Sequence, residues 1–150
     1  MARAGQSRLA ETMGYRLHYE QDGAAVVTLP YNARLDNGAD ALHGGILATL
    51  VDGSAWYALA PHYATRITTV ELQARLVAPA AGVEVRAVGR VIRAGRRVGV
   101  AEVEVFSADG RLIATGCGSF VATSRPLEIP PDALVPEPGP APRPGDEVTE

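Results

Sequence analysis

Hydrophobic and polar positions along the chain follow two different periods. "YRLHYEQ" (Tyr15 to Gln21) and "AAVVTLP" (Ala24 to Pro30) have the length of strands and flank Asp22-Gly23, a dipeptide suited to a tight hairpin turn. A polar loop, "YNARLDNGADAL", then leads to His43. The next run, "ALHGGILATLVDGSAWYALA" (Ala41 to Ala60), is too long for a strand and predicts a helix starting at Gly44-Gly45. A helix of about 16 residues spans about 24 Å, enough to cross a curved sheet.

After the helix the strand pattern returns. "TRITTVELQARLVA" alternates at Ile67, Thr69, Glu71 and onward, and ends at Pro79 and the Ala81-Gly82 turn. "VEVRAVGRVIRA" and "RVGVAEVEVFS" follow, joined at Gly95-Arg96, and a turn at Asp109-Gly110 leads into "RLIATGCGSFVAT". The valines of these stretches are the β-branched type that packs on a pleated surface. The expected fold is α+β: five to six antiparallel strands wrapped around one long central helix. The exposed edges of such a sheet predict dimerisation through an edge strand.

From Ser124 to the end the periodicity stops, and eight of the 11 prolines fall in that segment. Proline withholds a backbone donor, so residues 124–150 are expected to form an extended or disordered tail after a domain of residues 1–123. Charge divides at the same place. The tail carries Arg125 and Arg143 against Glu128, Asp132, Glu137, Asp146, Glu147 and Glu150, a net −4, while the whole chain carries −3. A near-neutral domain gives no electrostatic case for nucleic-acid binding. All 14 basic residues are arginine, which excludes Schiff-base and phosphate-loop lysines. Cys117 stands alone and cannot form an internal disulfide, as expected of a cytoplasmic protein. Neither a signal peptide nor a membrane-spanning run is legible.

The candidate chemistry lies between Asn37 and Thr69. The first N–H groups of a helix lack intrahelical partners and carry the positive end of its dipole. Gly44 and Gly45 let a ligand approach those groups closely, which suits a carbonyl oxygen gaining negative charge; they also suit a tight turn into a buried helix. Asp52 is the single formal charge from Gly44 to Ala60. At about 100° per residue it shares a strip with Gly45, Ala48 and Thr49. An ionised aspartate can act as base or nucleophile near neutral pH; a structural aspartate is the alternative. Asn37 can polarise a carbonyl or form an Asn-Gly turn, and His43 can cap the helix or position the loop. Trp56, Tyr57 and Tyr63 suit either an acyl pocket or the core.

Together, "LHGGILATLVD", "TTVELQARLVAPA" and "VIRAGRRVGVAEVEVFSADGRLIATGCGSFVAT" resemble the hotdog-fold acyl-CoA thioesterases, closest to the phenylacetate-degradation (PaaI-like) branch. The resemblance runs from about Glu11 to Thr123. It implies a hotdog fold, a homodimer formed by sheet continuation, and often a dimer of dimers. It also implies an active site at the dimer interface that hydrolyses an acyl-CoA thioester without metal or cofactor. Residue by residue, Asp52 matches the catalytic acid and Gly44 the oxyanion donor. Asn37 matches a residue that orients thioester or water, and Thr69 a Ser or Thr facing the site from the other subunit. His43 and Gly45 border the substrate, and Arg93, Arg96 and Arg97 fall where coenzyme A phosphates are held. The amino-terminal helix of many relatives is expected to be short or absent.

Two other readings are open to the sequence. A hotdog hydratase needs a histidine and an acid in a different arrangement, such as an Asp and a His five apart, whereas Asp36 and Asp40 lie seven and three residues before His43, so the spacing fails. A non-catalytic acyl-CoA-binding or regulatory hotdog protein would bind the thioester without turnover.

Overall fold

The computed structural model describes residues 7–127. A short helix α1 (Arg8–Met13) is followed by strands β1 (Arg16–Tyr19) and β2 (Ala25–Leu29), then by the long helix α2 (Gly44–Leu59). Strands β3 (Thr65–Leu76), β4 (Val85–Ala94), β5 (Val98–Ser107) and β6 (Leu112–Pro126) follow. All six strands form one antiparallel sheet in the order β1-β2-β4-β5-β6-β3. The fold is therefore the expected α+β sheet around one principal helix. α1 is present but brief: Ser7 caps its start and Gly14, at φ 79°, ends it. β6 runs past Thr123 to Pro126, and most of the expected tail lies outside the described residues.

What lets α2 lie close against the sheet is a set of small residues on the facing side of the strands. A Cβ added at Gly89 of β4 would lie 2.4 Å from the Ser54 carbonyl oxygen. One at Gly116 of β6 would lie 2.4 Å from a Val51 methyl. Around these contacts Leu50, Val51, Ala55, Leu59, Val103, Val105, Ile113 and Phe120 are buried in one core. Because the atoms facing Gly89 are helix backbone, Gly89→Ala should force the helix off the sheet. We expect a loss of about 1–3 kcal/mol, seen as a lower midpoint in thermal or denaturant unfolding.

Burial also explains the aromatic residues. Tyr57 is a core residue whose hydroxyl meets that of Tyr15 (3.3 Å), while the Tyr19 hydroxyl donates to the Tyr57 carbonyl (2.9 Å). Tyr63 donates to the Gly95 carbonyl (2.7 Å) and ties the end of α2 to the β4–β5 turn.

The alternation expected through Ile67, Thr69 and Glu71 breaks in the middle. Thr69 pairs with Phe120 and Glu71 with Ser119, so Val70 is an extra residue, a bulge. Past it, Leu72, Ala74 and Leu76 pair with Gly118, Gly116 and Ala114 on the helix side, and Glu71 turns to the outer face, where it accepts from Ser119 (3.0 Å). β3 is also an edge of the sheet and carries exposed apolar residues: Val70 (59% exposed), Leu72 (40%) and Leu76 (51%).

Candidate active site

The loop before α2 is held by its own backbone. The Asn37 N–H donates to the Ala41 carbonyl (2.8 Å), His43 N–H to Leu35 (2.9 Å), and Leu42 N–H to Ala80 beyond β3 (2.9 Å). Asp36 and Asn37 both fold back on the loop; Asn37 Oδ1 accepts from the Ala39 N–H (2.8 Å). Gly38 and Asp40 supply the left-handed positions, at φ 80° and 58°. This turn occupies the amide oxygen of Asn37 and leaves its NH₂ group to donate elsewhere.

The helix start distributes its donors unevenly. His43 is the N-cap, and its Nδ1 accepts from the Gly45 N–H (2.9 Å). The His43 carbonyl accepts from Ile46 (2.9 Å) and Leu47 (3.3 Å). Among the described residues the Gly44 N–H meets no acceptor. His43 thus caps rather than presents a reactive ring, and the donor left for an incoming oxygen is Gly44. A pocket of about 310 Å³ opens there. Asn37 and Gly44 form its polar side, and Leu47, Leu76, Val77 and Ala78 its apolar wall.

Asp52 lies two turns on, half-buried, on the side of α2 that faces the edge strand β3. The Thr69 hydroxyl donates to Asp52 Oδ1 (2.9 Å) within the same chain. Acid and hydroxyl thus form one unit within the chain. The bond fixes one carboxylate oxygen and leaves Oδ2 open. One turn further, Trp56 Nε1–H donates to the Ile67 carbonyl (3.1 Å) and locks β3 against this side of the helix.

Along α2 the site is divided. Gly44 and Asp52 are eight residues apart, or about 12 Å at the helical rise. One thioester carbonyl cannot touch both in a single chain. Arg93, Arg96 and Arg97 are exposed around the β4–β5 turn, beyond the far end of α2. Cys117 is no rival nucleophile: burial, with the charges of Glu71 and Glu102, pushes its thiol up and keeps it protonated.

A sheet curled round one helix, with an unclaimed amide at the helix start, is the hotdog arrangement. The profile of the Thioesterase superfamily matches residues 40–114, a span holding Gly44, Asp52 and Thr69. The chain belongs to that superfamily and is by family a hydrolase of thioesters. A protein of Halobacterium salinarum that bears an esterase name is 33% identical over 125 residues, 75% of this chain and 82% of its own. A Bacillus halodurans protein solved with CoA is 29% identical, with a TM-score of 0.75, covering 81% of this chain and 82% of that one. The PaaI protein of Escherichia coli, at 22% identity and a TM-score of 0.73, covers 81% and 88% and shares the fold. No helix among the described residues is long and apolar enough to cross a membrane.

Proposed function

We propose that this chain hydrolyses acyl-CoA thioesters at a site shared by two copies of itself. The observation that carries this reading is the division of the site. The free Gly44 amide and the Asp52–Thr69 pair are both equipped for chemistry and stand about 12 Å apart on one helix. An antiparallel partner paired along the exposed edge β3 brings the Gly44 end of one helix beside the Asp52 of the other. The CoA held by the Bacillus halodurans relative supports CoA as the thiol half.

In this account the thioester carbonyl accepts from the Gly44 N–H, whose place at the helix start favours negative charge on oxygen. The Asn37 amide donates alongside it. Asp52 from the partner takes a proton from water as the water oxygen adds to the carbonyl carbon. The tetrahedral oxyanion collapses, the C–S bond breaks, and the thiolate receives the proton from Asp52. Free acid and CoA leave. Direct attack by Asp52 would instead expel the thiolate and form a mixed anhydride; water adding to its aspartyl carbonyl would carry ¹⁸O into the Asp52 carboxylate in a single turnover, whereas the general-base route labels the released acid alone. The acyl group enters the aliphatic pocket of Leu47, Leu76, Val77 and Ala78.

Release of free thiol from a panel of aryl, short-chain and medium-chain acyl-CoAs tests the reading. Turnover of at least one apolar acyl-CoA is expected. Tight binding without any thiol release would identify a non-catalytic acyl-CoA-binding protein instead.

A further inference from the structure

Three segments meet at the end of the sheet where α2 finishes: residues 60–69, 91–99 and 119–127. They contain Arg66, Arg93, Arg96, Arg97 and Arg125, and not one carboxylate. Strand pairing gathers them. Ile67 faces Ala122, Val98 faces Val121, and the Ala122 N–H donates to the Arg97 carbonyl (2.8 Å). None of the five takes part in an ion pair among the described residues.

Within this cationic end the β3–β6 ladder opens. Thr65 pairs with Pro126 and Ile67 with Ala122, so Thr123, Ser124 and Arg125 stand opposite Arg66 alone. The surplus residues, with the facing part of β3, line a cavity of about 430 Å³. Trp56 forms part of its wall, Arg66 and Arg125 line it, and Thr68, Thr123 and Ser124 add hydroxyls. Every polar side chain lining it can donate, and among the described residues no acid lines it. The hairpin arginines only flank this cavity, through the Arg97 carbonyl beside Thr123.

The cavity adjoins the Asp52 half of the site. Trp56 is one turn beyond Asp52, and Arg66 lies three residues before Thr69, about 10 Å along the strand. A thioester held at Asp52 carries its phosphates at the far end of the pantetheine arm, so a phosphate site belongs at a distance from the carboxylate. We propose that this cavity binds the phosphate-bearing end of the substrate's thiol half, the diphosphate or 3′-phosphate of CoA, through Arg66 and Arg125. The inference rests on the thioesterase reading for the identity of its ligand. Guanidinium forks match phosphate oxygens, and the bulge presents two of them together.

The test is calorimetric titration of full-length wild type, Arg66→Gln, Arg125→Gln and the double variant with CoA, 3′-dephospho-CoA, pantetheine and inorganic pyrophosphate. Each single change should weaken CoA about tenfold and the double change about 10²-fold. Pantetheine binding should not change. In turnover the double variant should raise KM and leave kcat nearly intact, because Asp52 and Gly44 are untouched. Arg16→Gln, at an exposed position on β1, should match wild type. An equal loss for dephospho-CoA seats the diphosphate; a dephospho-CoA already weak in wild type and indifferent to the variants seats the 3′-phosphate. Both outcomes support the site. It is overturned if the folded double variant binds CoA as wild type does, or if Arg96→Gln and Arg97→Gln lose CoA in its place. Turnover of an N-acetylcysteamine thioester by a wild type that binds neither CoA nor pyrophosphate would overturn the phosphate site and leave hydrolysis standing. CoA binding lost in the double variant, with no thioester turned over, would do the reverse.

Discussion

Asp52→Asn should reduce kcat for thioester hydrolysis by about 10²- to 10⁴-fold and leave the protein folded. The substitution keeps the shape of the side chain and keeps an oxygen to accept from the Thr69 hydroxyl (2.9 Å in the native chain). What it removes is the capacity to take a proton or attack a carbonyl. Asp52 is half-buried and takes part in no ion pair among the described residues, so the stability change should stay within about 0.5 kcal/mol. Single-turnover thiol release and a thermal melt, taken together, check both halves. Unchanged turnover would remove Asp52 from the chemistry and leave it as the polar anchor of β3.

Gly44→Pro should cost about 10²- to 10³-fold in kcat through a different route. Gly44 is the first residue of α2, where proline fits the helical φ and sacrifices only an N–H without an intrahelical partner. That N–H is the donor the mechanism needs. The added ring also meets Leu76, whose Cδ1 lies 2.7 Å from the position of a Cβ on Gly44. Leu76 is 51% exposed, and the contact is the tip of a flexible side chain that can swing aside. Gly44→Ala separates the two effects, because it adds the same carbon and keeps the donor. Alanine should therefore retain far more activity than proline. Equal losses would make crowding by Leu76 the cause and remove the oxyanion role.

Much of this arrangement is legible along the chain because its signals are local. A long apolar run cannot be a strand, turn dipeptides bracket the strands, and a glycine pair at a helix start leaves amides exposed. The single charge in that helix marks Asp52. What escapes the sequence is set by pairing between distant strands. The bulge at Val70 has no residue that announces it, yet it decides that Leu72 and Leu76 face the helix and Glu71 does not. Thr69 is an ordinary strand threonine until β3 brings its hydroxyl to Asp52 of the same chain. The choice between the Gly44 and Gly45 amides depends on the rotation of one histidine ring, which takes the second and frees the first. Arg66 and Arg125 lie 59 positions apart and become neighbours only through the irregular β3–β6 register, whereas the hairpin arginines attract attention because they are adjacent in sequence.

The central claim is that one active site draws its acid and its oxyanion donor from two copies of the chain. Asp52→Asn and Gly44→Pro chains carrying different affinity tags can be produced together and the hybrid isolated through both tags. A hybrid dimer holds one ruined site, with both changes, and one intact site, with Asp52 from one chain and Gly44 from the other. Activity, nearly absent from either parent, should return to about half of wild type in the purified hybrid, one site of two. A folded hybrid as inactive as its parents would contradict it.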